Sequence, residues 1–318
     1  MHVIGIDLGG TKVAGAVFDS DGQILEETYT SINKQTGKAV GHLIVTSIQR
    51  LLSRAHQLKL SVLAVGVCIP GIYYAQRGRV WAPNIPGWDD YPLLEELEAV
   101  PELQDKTIVI DSDRACYILG ETWAGNARAC RNAIFLAVGT GIGAGILIDG
   151  KILRGHQDIA GAIGWLAMNL PFRQEYASCG CFEYHASGEG LVKVARDLLT
   201  MKPDYKGELA QKSLDQLSSF DIFQARDNGD ALASDVLDQA IQFWGMAAAN
   251  LVSLFNPEKI IFGGGVFGPA GRWLNRIYEE ASRWAQPISI KQVTFEISAL
   301  AGRAGLIGAG RLAYETIQ

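Results

Sequence analysis

The sequence contains no apolar run that approaches the roughly 20 residues of a membrane span, and no basic leader precedes its first apolar stretch. Basic residues are not in excess, since 28 Lys and Arg against 34 Asp and Glu give a net charge of −6. The five cysteines are odd in number and lie mostly in apolar stretches, which does not indicate a disulfide framework. We therefore expect a soluble cytoplasmic protein with free thiols and no general attraction for membranes or nucleic acid.

Apolar residues, in contrast, are plentiful. A hydrophobic share of 48% with 19% charged residues excludes an intrinsically disordered chain. A chain of 318 residues is long for one hydrophobic core and suits two domains of ordinary size.

The N-terminal stretch Val3–Lys12 combines a buried strand with a glycine-rich turn. Val3–Ile6 is apolar and β-branched, and we expect Gly9 and Gly10 to reverse the chain with positive φ and to bring backbone N–H groups close to an anion. Val13–Phe18 continues as a second strand, so the unit is predicted to be a hairpin rather than the strand-to-helix turn of a P-loop. Alone, such a hairpin would be weak evidence of function.

A second copy of this pattern occupies residues 133–153. An apolar strand at 133–138 runs into a Gly-Thr-Gly-Ile-Gly turn at 139–143, and the next strand ends in an Asp-Gly turn, as it does in the first copy. A repeat of this kind predicts two similar domains, each offering one turn that can face a phosphate.

The paired hairpins resemble those of the ROK family (repressors, open reading frames and kinases) in the actin-like ATPase superfamily, many of whose members are ATP-dependent sugar kinases. The resemblance runs from Val3 to about Leu312. It implies a two-domain α/β fold of the actin-like, ribonuclease H-like type with an interdomain cleft. Residues 1–113, completed by 301–318, would form the N-terminal domain, and residues 114–300 the larger C-terminal domain.

The resemblance also implies that MgATP lies between the two hairpins. Asp7 would hold the Mg²⁺, through water because this ion sheds its waters reluctantly. The positions implied to contact the phosphates are Asp7, Gly9, Gly10, Thr11, Lys12, Gly139, Thr140, Gly141 and Gly143.

Two carboxylates follow the apolar strand predicted at 107–110, where an α/β enzyme would place a catalytic group. The residues alone leave Asp111 and Asp113 as alternatives. The family pattern Asn-Asp-Ala-Asn followed by Leu-Gly-Glu, aligned on residues 119–121, implies that Asp113 is the general base and that Asp111 is a solvated or capping carboxylate. Phosphoryl transfer to a hydroxyl needs one such carboxylate within hydrogen-bond reach of the attacking oxygen.

The implied acceptor site departs from the family pattern. Ser112 stands where the family has Asn, and Ala162 where it has a Glu that contacts sugar hydroxyls, so both replacements remove hydrogen-bonding capacity. A site built to bond a hydroxyl discriminates strongly, and we therefore expect a changed acceptor. Trp88 could either pack or bind. The residues implied to contact the acceptor are Gly71, Asn84, Ser112, Asp113 and Glu183.

The zinc motif of the family is incomplete in this sequence. The family reads Gly-Glu-Ile-Gly-His and then Cys-x-Cys-Gly-x-x-Gly-Cys-x-Glu, whereas residues 161–165 here read Gly-Ala-Ile-Gly-Trp. Gln174 and Tyr176 replace the first two cysteines, and only Cys181 is kept. Because a structural zinc needs four ligands, we expect none, and we expect Trp165 to fill the volume around the lost metal.

The C-terminal part of the chain favours the nucleotide interpretation. We predict a long apolar helix at 231–255, a strand at 259–262, a polar helical stretch at 209–226 and a closing helix at 301–314 that returns to the first domain. The glycines after the strand allow the flat approach of an adenosine and match the family's adenosine motif: Gly263, Gly264 and Gly265.

The sequence thus predicts a Mg²⁺-requiring, ATP-dependent kinase acting on a sugar or a related polyol, with a homodimer expected by analogy. The alternative is a sugar or nucleotide sensor without kinase activity, which Ser112, Ala162 and Trp165 favour and the intact Asp113 and Glu183 oppose. Repressors of the family carry a helix-turn-helix segment before the first hairpin. Only two residues precede it here, so we do not expect DNA binding.

Overall fold

The computed structural model describes residues 1–318, and its strands form two five-stranded sheets and one short hairpin. The strands are β1 (His2–Leu8), β2 (Lys12–Phe18), β3 (Ile24–Ser31), β4 (Val62–Ile69), β5 (Ile72–Tyr74), β6 (Arg79–Trp81), β7 (Thr107–Ser112), β8 (Ala133–Val138), β9 (Ile142–Ile148), β10 (Lys151–Ile152), β11 (Lys259–Gly263) and β12 (Thr294–Ile297).

The two large sheets have the same topology. The first has the order β3-β2-β1-β4-β7 and the second the order β10-β9-β8-β11-β12. In each sheet the first three strands pair antiparallel and the last two join in parallel. The repeat noticed in the sequence is therefore a repeat of sheet topology, and it places the β1–β2 and β8–β9 turns at equivalent corners.

Ten helices pack on these sheets. They are α1 (Gly37–Gln57), α2 (Leu93–Glu98), α3 (Asp113–Ala124), α4 (Cys181–Ala186), α5 (Gly188–Met201), α6 (Ser219–Asp227), α7 (Ala231–Phe255), α8 (Phe267–Ala270), α9 (Leu274–Trp284) and α10 (Ala304–Glu315). None of these helices is both long enough and apolar enough to cross a membrane.

Helices α3 and α10 pack against each other between the two sheets. The closing helix α10 lies on β1 and β4, and α3 lies on β9 of the second sheet. The contact with β1 is close because a Cβ added to Gly5 would lie 2.6 Å from the Gly310 nitrogen. These two helices therefore connect the sheets, and Asp113 is the first residue of α3.

Two cores hold most of the buried apolar residues. The larger core surrounds α7. Its Trp244 is fully buried and donates a hydrogen bond to the Ala186 carbonyl at 2.9 Å. The smaller core contains Trp88, which stacks on Tyr91 at 4.2 Å and donates a hydrogen bond to the Gly37 carbonyl at 3.0 Å. Trp88 is thus a packing residue, which resolves the alternative that the sequence left open.

One helical prediction was wrong in extent. Residues 209–226 form short 3₁₀ turns at Glu208–Gln211 and Leu214–Gln216, and only then the helix α6. Ser218 begins α6 with a capping box to Asp221. Serine side chains that bond nearby backbone groups favour helix starts over helix interiors, which explains the break.

Candidate active site

The β1–β2 and β8–β9 turns face each other across a cleft of about 650 Å³. Most residues that the sequence assigned to the phosphates line this cleft: Asp7, Gly9, Gly10, Gly139, Thr140, Gly141 and Gly143. Thr11 and Lys12 do not line it. Both are exposed, and the Lys12 ammonium lies over the Tyr29 ring at 5.0 Å.

The expectation that Gly9 and Gly10 need positive φ was wrong, because neither residue adopts it. The turn closes instead with the Gly9 N–H donating to the Lys12 carbonyl at 2.9 Å. What the glycines supply is space, since a Cβ on Gly10 or Gly139 would meet no heavy atom within 4 Å. The hairpin tips therefore leave open room in front of exposed backbone, which suits a bulky anion.

Asp113 is the first residue of α3, directly after β7, and its side chain lines the cleft. Its Oδ1 accepts a hydrogen bond from the Arg114 N–H at 2.8 Å, and its Oδ2 accepts one from the Tyr117 hydroxyl at 3.4 Å. Burial raises the pKa of Asp113 to about 6, and the charge of Asp7 adds to the shift while that of Arg114 opposes it. A carboxyl with this pKa can accept a proton near neutral pH.

Ser112 does not line the cleft. Its Oγ accepts a hydrogen bond from the Ala115 N–H at 3.4 Å and caps the N-terminus of α3. The structure therefore does not support the predicted contact between Ser112 and an acceptor, although the cap orients the helix turn that carries Asp113.

Asp7 lies at the end of β1 beside the start of α10, where a Cβ on Gly305 would come within 2.8 Å of its Oδ2. Burial raises the pKa of Asp7, while a hydrogen bond from the Cys68 thiol and the charge of Lys12 lower it. Asp7 and Asp113 thus bring two carboxylates to one cleft with open room at the hairpin tips. This donor set fits a magnesium ion carried by a triphosphate.

Asp111 is neither solvated nor a helix cap, so that prediction was wrong. Its side chain is only 5% exposed, and Arg154 Nη1 lies 2.6 Å from its Oδ2. Its Oδ1 accepts a hydrogen bond from the Ser112 N–H at 2.8 Å. Arg154 follows β10 of the second sheet, so this ion pair joins the two sheets, a contact that local sequence does not encode.

Glu183 of α4 lines the cleft and supports the second hairpin. Its Oε2 accepts a hydrogen bond from the Ile142 N–H at 2.6 Å, and a Cβ on Gly141 would lie 2.6 Å from the same oxygen. Burial raises the pKa of Glu183. The Glu183 carboxylate therefore contacts the backbone of the β8–β9 turn and also lines the cleft.

Asn84 and Gly71 also line the cleft. A Cβ on Gly71 would collide with the Trp81 carbonyl, so only glycine fits there. Trp81 and Trp165 also line the cleft, and Trp165 is 57% exposed. The expectation that Trp165 fills an interior volume was therefore wrong; the ring stands at the mouth of the site.

Tyr176 is the residue that fills the interior near the incomplete zinc motif. Its hydroxyl lies 2.7 Å from His185 Nε2, and the His185 ring stacks on Phe243 at 4.4 Å. Burial lowers the pKa of His185 to about 4, which keeps the ring neutral. The structure contains no group of three or more His, Cys, Asp or Glu residues placed to hold a metal.

We predict that chelators leave the melting temperature of the protein unchanged. His185→Ala should instead lower the free energy of unfolding by about 2 kcal/mol, because it removes the ring against Phe243 and leaves the buried Tyr176 hydroxyl unpaired. Metal analysis and thermal melts with and without a chelator test this. One equivalent of bound zinc together with a chelator-sensitive melt would contradict it.

A second cavity of about 1080 Å³ adjoins the cleft and shares Gly139, Thr140 and Gly265 with it. Helices α5 and α6 supply an apolar wall with charged groups beside it: Glu189, Val192, Lys193, Arg196, Phe220 and Phe223. This combination suits a flat heterocycle with a polar substituent. Sequence reasoning missed these residues, and the available signal was Phe220, an aromatic residue within a polar segment that the structure shows to be 72% exposed.

The three glycines at the end of β11, Gly263, Gly264 and Gly265, have different surroundings. Gly264 and Gly265 line the cleft, and Gly264 has φ +88°. Gly263 belongs to β11, is buried, and has the Phe135 ring where its Cβ would be. Gly263 is therefore a packing position, whereas Gly264 lines the cleft and Gly265 lines both the cleft and the larger cavity.

The duplicated sheets and the cleft between their glycine hairpins define a protein of the actin-like ATPase fold. The ROK family model matches residues 3–316, and the chain belongs to the ROK family, which confirms the resemblance. A glucokinase of Halalkalibacterium halodurans is 33% identical, over 97% of this chain and 94% of that protein.

A solved ROK glucokinase from Streptomyces griseus, in complex with glucose and AMPPNP, superposes with a TM-score of 0.78. It is 29% identical and covers 99% of this chain and 100% of its own. The xylose repressor of Caldicellulosiruptor bescii is 28% identical over 96% of this chain and 76% of that protein. The relatives therefore include both kinases and regulators.

Proposed function

We propose that the protein transfers the γ-phosphoryl group of ATP to a hydroxyl of a sugar or sugar-like molecule. The acceptor oxygen forms a bond to the γ-phosphorus, the bond from that phosphorus to the β–γ bridging oxygen breaks, and ADP leaves. The hydroxyl proton passes to Asp113. The observation that carries this proposal is the cleft in which Asp113 and two glycine hairpins converge.

The donor side of the site consists mainly of backbone. The open room at Gly10 and Gly139 accommodates the phosphates, and the N–H groups of Gly10 and Thr140 and the Thr140 hydroxyl are available to them. Asp7 would hold Mg²⁺, which when bound neutralises charge on the phosphates. The nucleoside would occupy the adjoining cavity beside Gly264 and Gly265, between α5 and α6.

The acceptor side consists of Asp113, Asn84, the Gly71 backbone and Glu183. Glu183 also accepts a hydrogen bond from the Ile142 N–H. A sugar that binds this carboxylate would therefore affect the geometry of the β8–β9 turn. Asp113 lies at a helix start that Ser112 fixes, so the base needs little reorganisation before transfer.

A coupled ADP-release assay over hexoses, amino sugars, N-acetyl sugars and polyols tests the proposal. Turnover that depends on an acceptor supports the kinase. The second candidate, a sugar-responsive regulator without catalysis, is favoured by the similarity to a repressor and by Ala162 at a family Glu position. Binding of ATP and sugar without turnover would favour this second function.

We predict that kcat/KM for the acceptor falls as pH drops through about 6. Asp113 accepts a proton only when it is deprotonated, and burial raises its pKa from 3.8 to about 6. The activity is therefore present above this pH and should decline about tenfold per unit below it. A pH–rate profile checks this, and a rate that stays constant down to about pH 4.5 would contradict it.

A further inference from the structure

Arg114 is the second residue of α3 and follows the proposed base directly. Its side chain lines the cleft and runs along the second hairpin, since a Cβ on Gly143 would lie 3.1 Å from both its Cγ and its Cδ. The guanidinium then reaches the segment after β10, where Nη1 donates to the Ile159 carbonyl at 3.2 Å. Ile159 and Ala162 of this segment also line the cleft.

The Arg114 guanidinium has no carboxylate partner in the structure. The nearby carboxylates Asp111 and Asp158 are instead paired with Arg154, at 2.6 and 3.8 Å. Asp113 accepts from the backbone of Arg114 and not from its guanidinium. Of the five N–H donors of this group, only one is engaged within the protein, so the cleft contains a cation free to bind an anion.

The part of the cleft that Arg114 and Ala162 line differs in charge from the ROK family pattern. That pattern has Ala at the position of Arg114 and Glu at the position of Ala162. This chain has therefore gained a positive charge and lost a negative one on neighbouring parts of the cleft. Ala162 has a shorter side chain than Glu and lines the cleft together with Ile159 and the exposed Trp165 ring.

We propose that the acceptor is an anionic sugar derivative, whose carboxylate or phosphate group pairs with Arg114. The proposal rests on the kinase function proposed above. An anionic acceptor must approach the ATP phosphates and two carboxylates, which repel it, and an unpaired guanidinium offsets that repulsion. Arginine also binds carboxylate and phosphate with two parallel hydrogen bonds, which would fix the orientation of the acceptor.

The test compares kcat/KM for anionic sugars with kcat/KM for their neutral counterparts. The panel contains hexuronates, aldonates and hexose phosphates beside the parent hexoses, so that carboxylate and phosphate are distinguished. We expect at least one anionic acceptor to exceed its parent hexose by about tenfold or more. Equal or better use of the neutral hexose throughout the panel would overturn the proposal.

Arg114→Ala and Ala162→Glu restore the family residues and are therefore compatible with the fold. Arg114→Ala should lower the ratio of anionic to neutral kcat/KM by about 30-fold, since charge-assisted hydrogen bonds are lost. The double variant should prefer the neutral hexose. Arg131→Ala, which removes a guanidinium of a residue with a 73% exposed side chain outside the cleft, should leave the ratio unchanged.

Two results separate the failure of this inference from that of the kinase proposal. An equal loss for anionic and neutral acceptors in Arg114→Ala would assign the guanidinium to the ATP phosphates and overturn the inference alone. If no acceptor is phosphorylated, calorimetric titration with the same panel decides between the two. Anion binding that is abolished in Arg114→Ala would support the anion site and overturn the kinase function. If no anion binds, both proposals are overturned.

Discussion

Asp113→Asn should reduce kcat by about 1,000-fold and leave the affinity for ATP nearly unchanged. The amide keeps an oxygen that can accept from the Arg114 N–H, now 2.8 Å from the carboxylate, so the start of α3 should keep its geometry. What the variant loses is the ability to take the proton of the attacking hydroxyl. Single-turnover assays and nucleotide titrations measure the two effects separately.

The same substitution should stabilise the protein at pH 8. Burial raises the pKa of Asp113 from 3.8 to about 6, so the folded state disfavours the charged carboxylate. The penalty is fully present above about pH 6 and fades as pH falls toward 3.8. We expect the free energy of unfolding of Asp113→Asn to exceed that of the wild type by about 1 to 2 kcal/mol at pH 8, allowing for partial exposure.

Asp149→Asn is the matched control for the charge change. Its side chain is 77% exposed, lies outside the cleft, and has a positive φ that Asn tolerates well. It should change neither kcat nor the melting temperature. An active Asp113→Asn enzyme would show that another group accepts the proton, and an inactive but destabilised variant would show that the residue is structural.

Gly10→Ala and Gly139→Ala should each raise KM for ATP by about 10- to 100-fold and leave the melting temperature unchanged. Neither glycine has positive φ, and an added Cβ meets no protein atom within 4 Å. The added methyl group therefore costs the fold little, but it enters the room proposed for the phosphates. ATP titrations and thermal melts of both variants measure these effects.

Gly268→Ala is the matched control, because this glycine also lacks positive φ and has no neighbour within 4 Å of an added Cβ, yet does not line the cleft. It should leave KM for ATP unchanged. Normal KM values in both hairpin variants would contradict the assignment of the hairpins to the phosphates. A large drop in melting temperature would indicate a folding role for these glycines instead.

The parts of the site that the sequence predicted best are those that repeat. The strand and turn pattern around Gly10 returns around Gly141, and an apolar run that ends in a glycine turn is local enough to be recognised without coordinates. The role expected of Gly9 and Gly10 was nevertheless wrong in one respect. They leave space rather than adopt positive φ, and turn type cannot be read from Gly-Gly alone.

The parts that the sequence could not predict depend on contacts between distant segments. Asp111 was expected in solvent because nothing near it shows that Arg154 approaches from the second sheet. Trp165 was expected inside because tryptophan is apolar, but Tyr176 occupies the interior with His185. Arg114 and the α5–α6 wall belong to the site only because two sheets meet around it.

The most direct test uses ATP labelled in its γ-phosphate, incubated with the protein, Mg²⁺ and the neutral and anionic acceptor panel. We predict that the label moves to at least one acceptor, and that Asp113→Asn retains ATP binding but loses this transfer. If the protein binds ATP while the label stays in ATP or is released only as inorganic phosphate with every acceptor, the kinase function is contradicted.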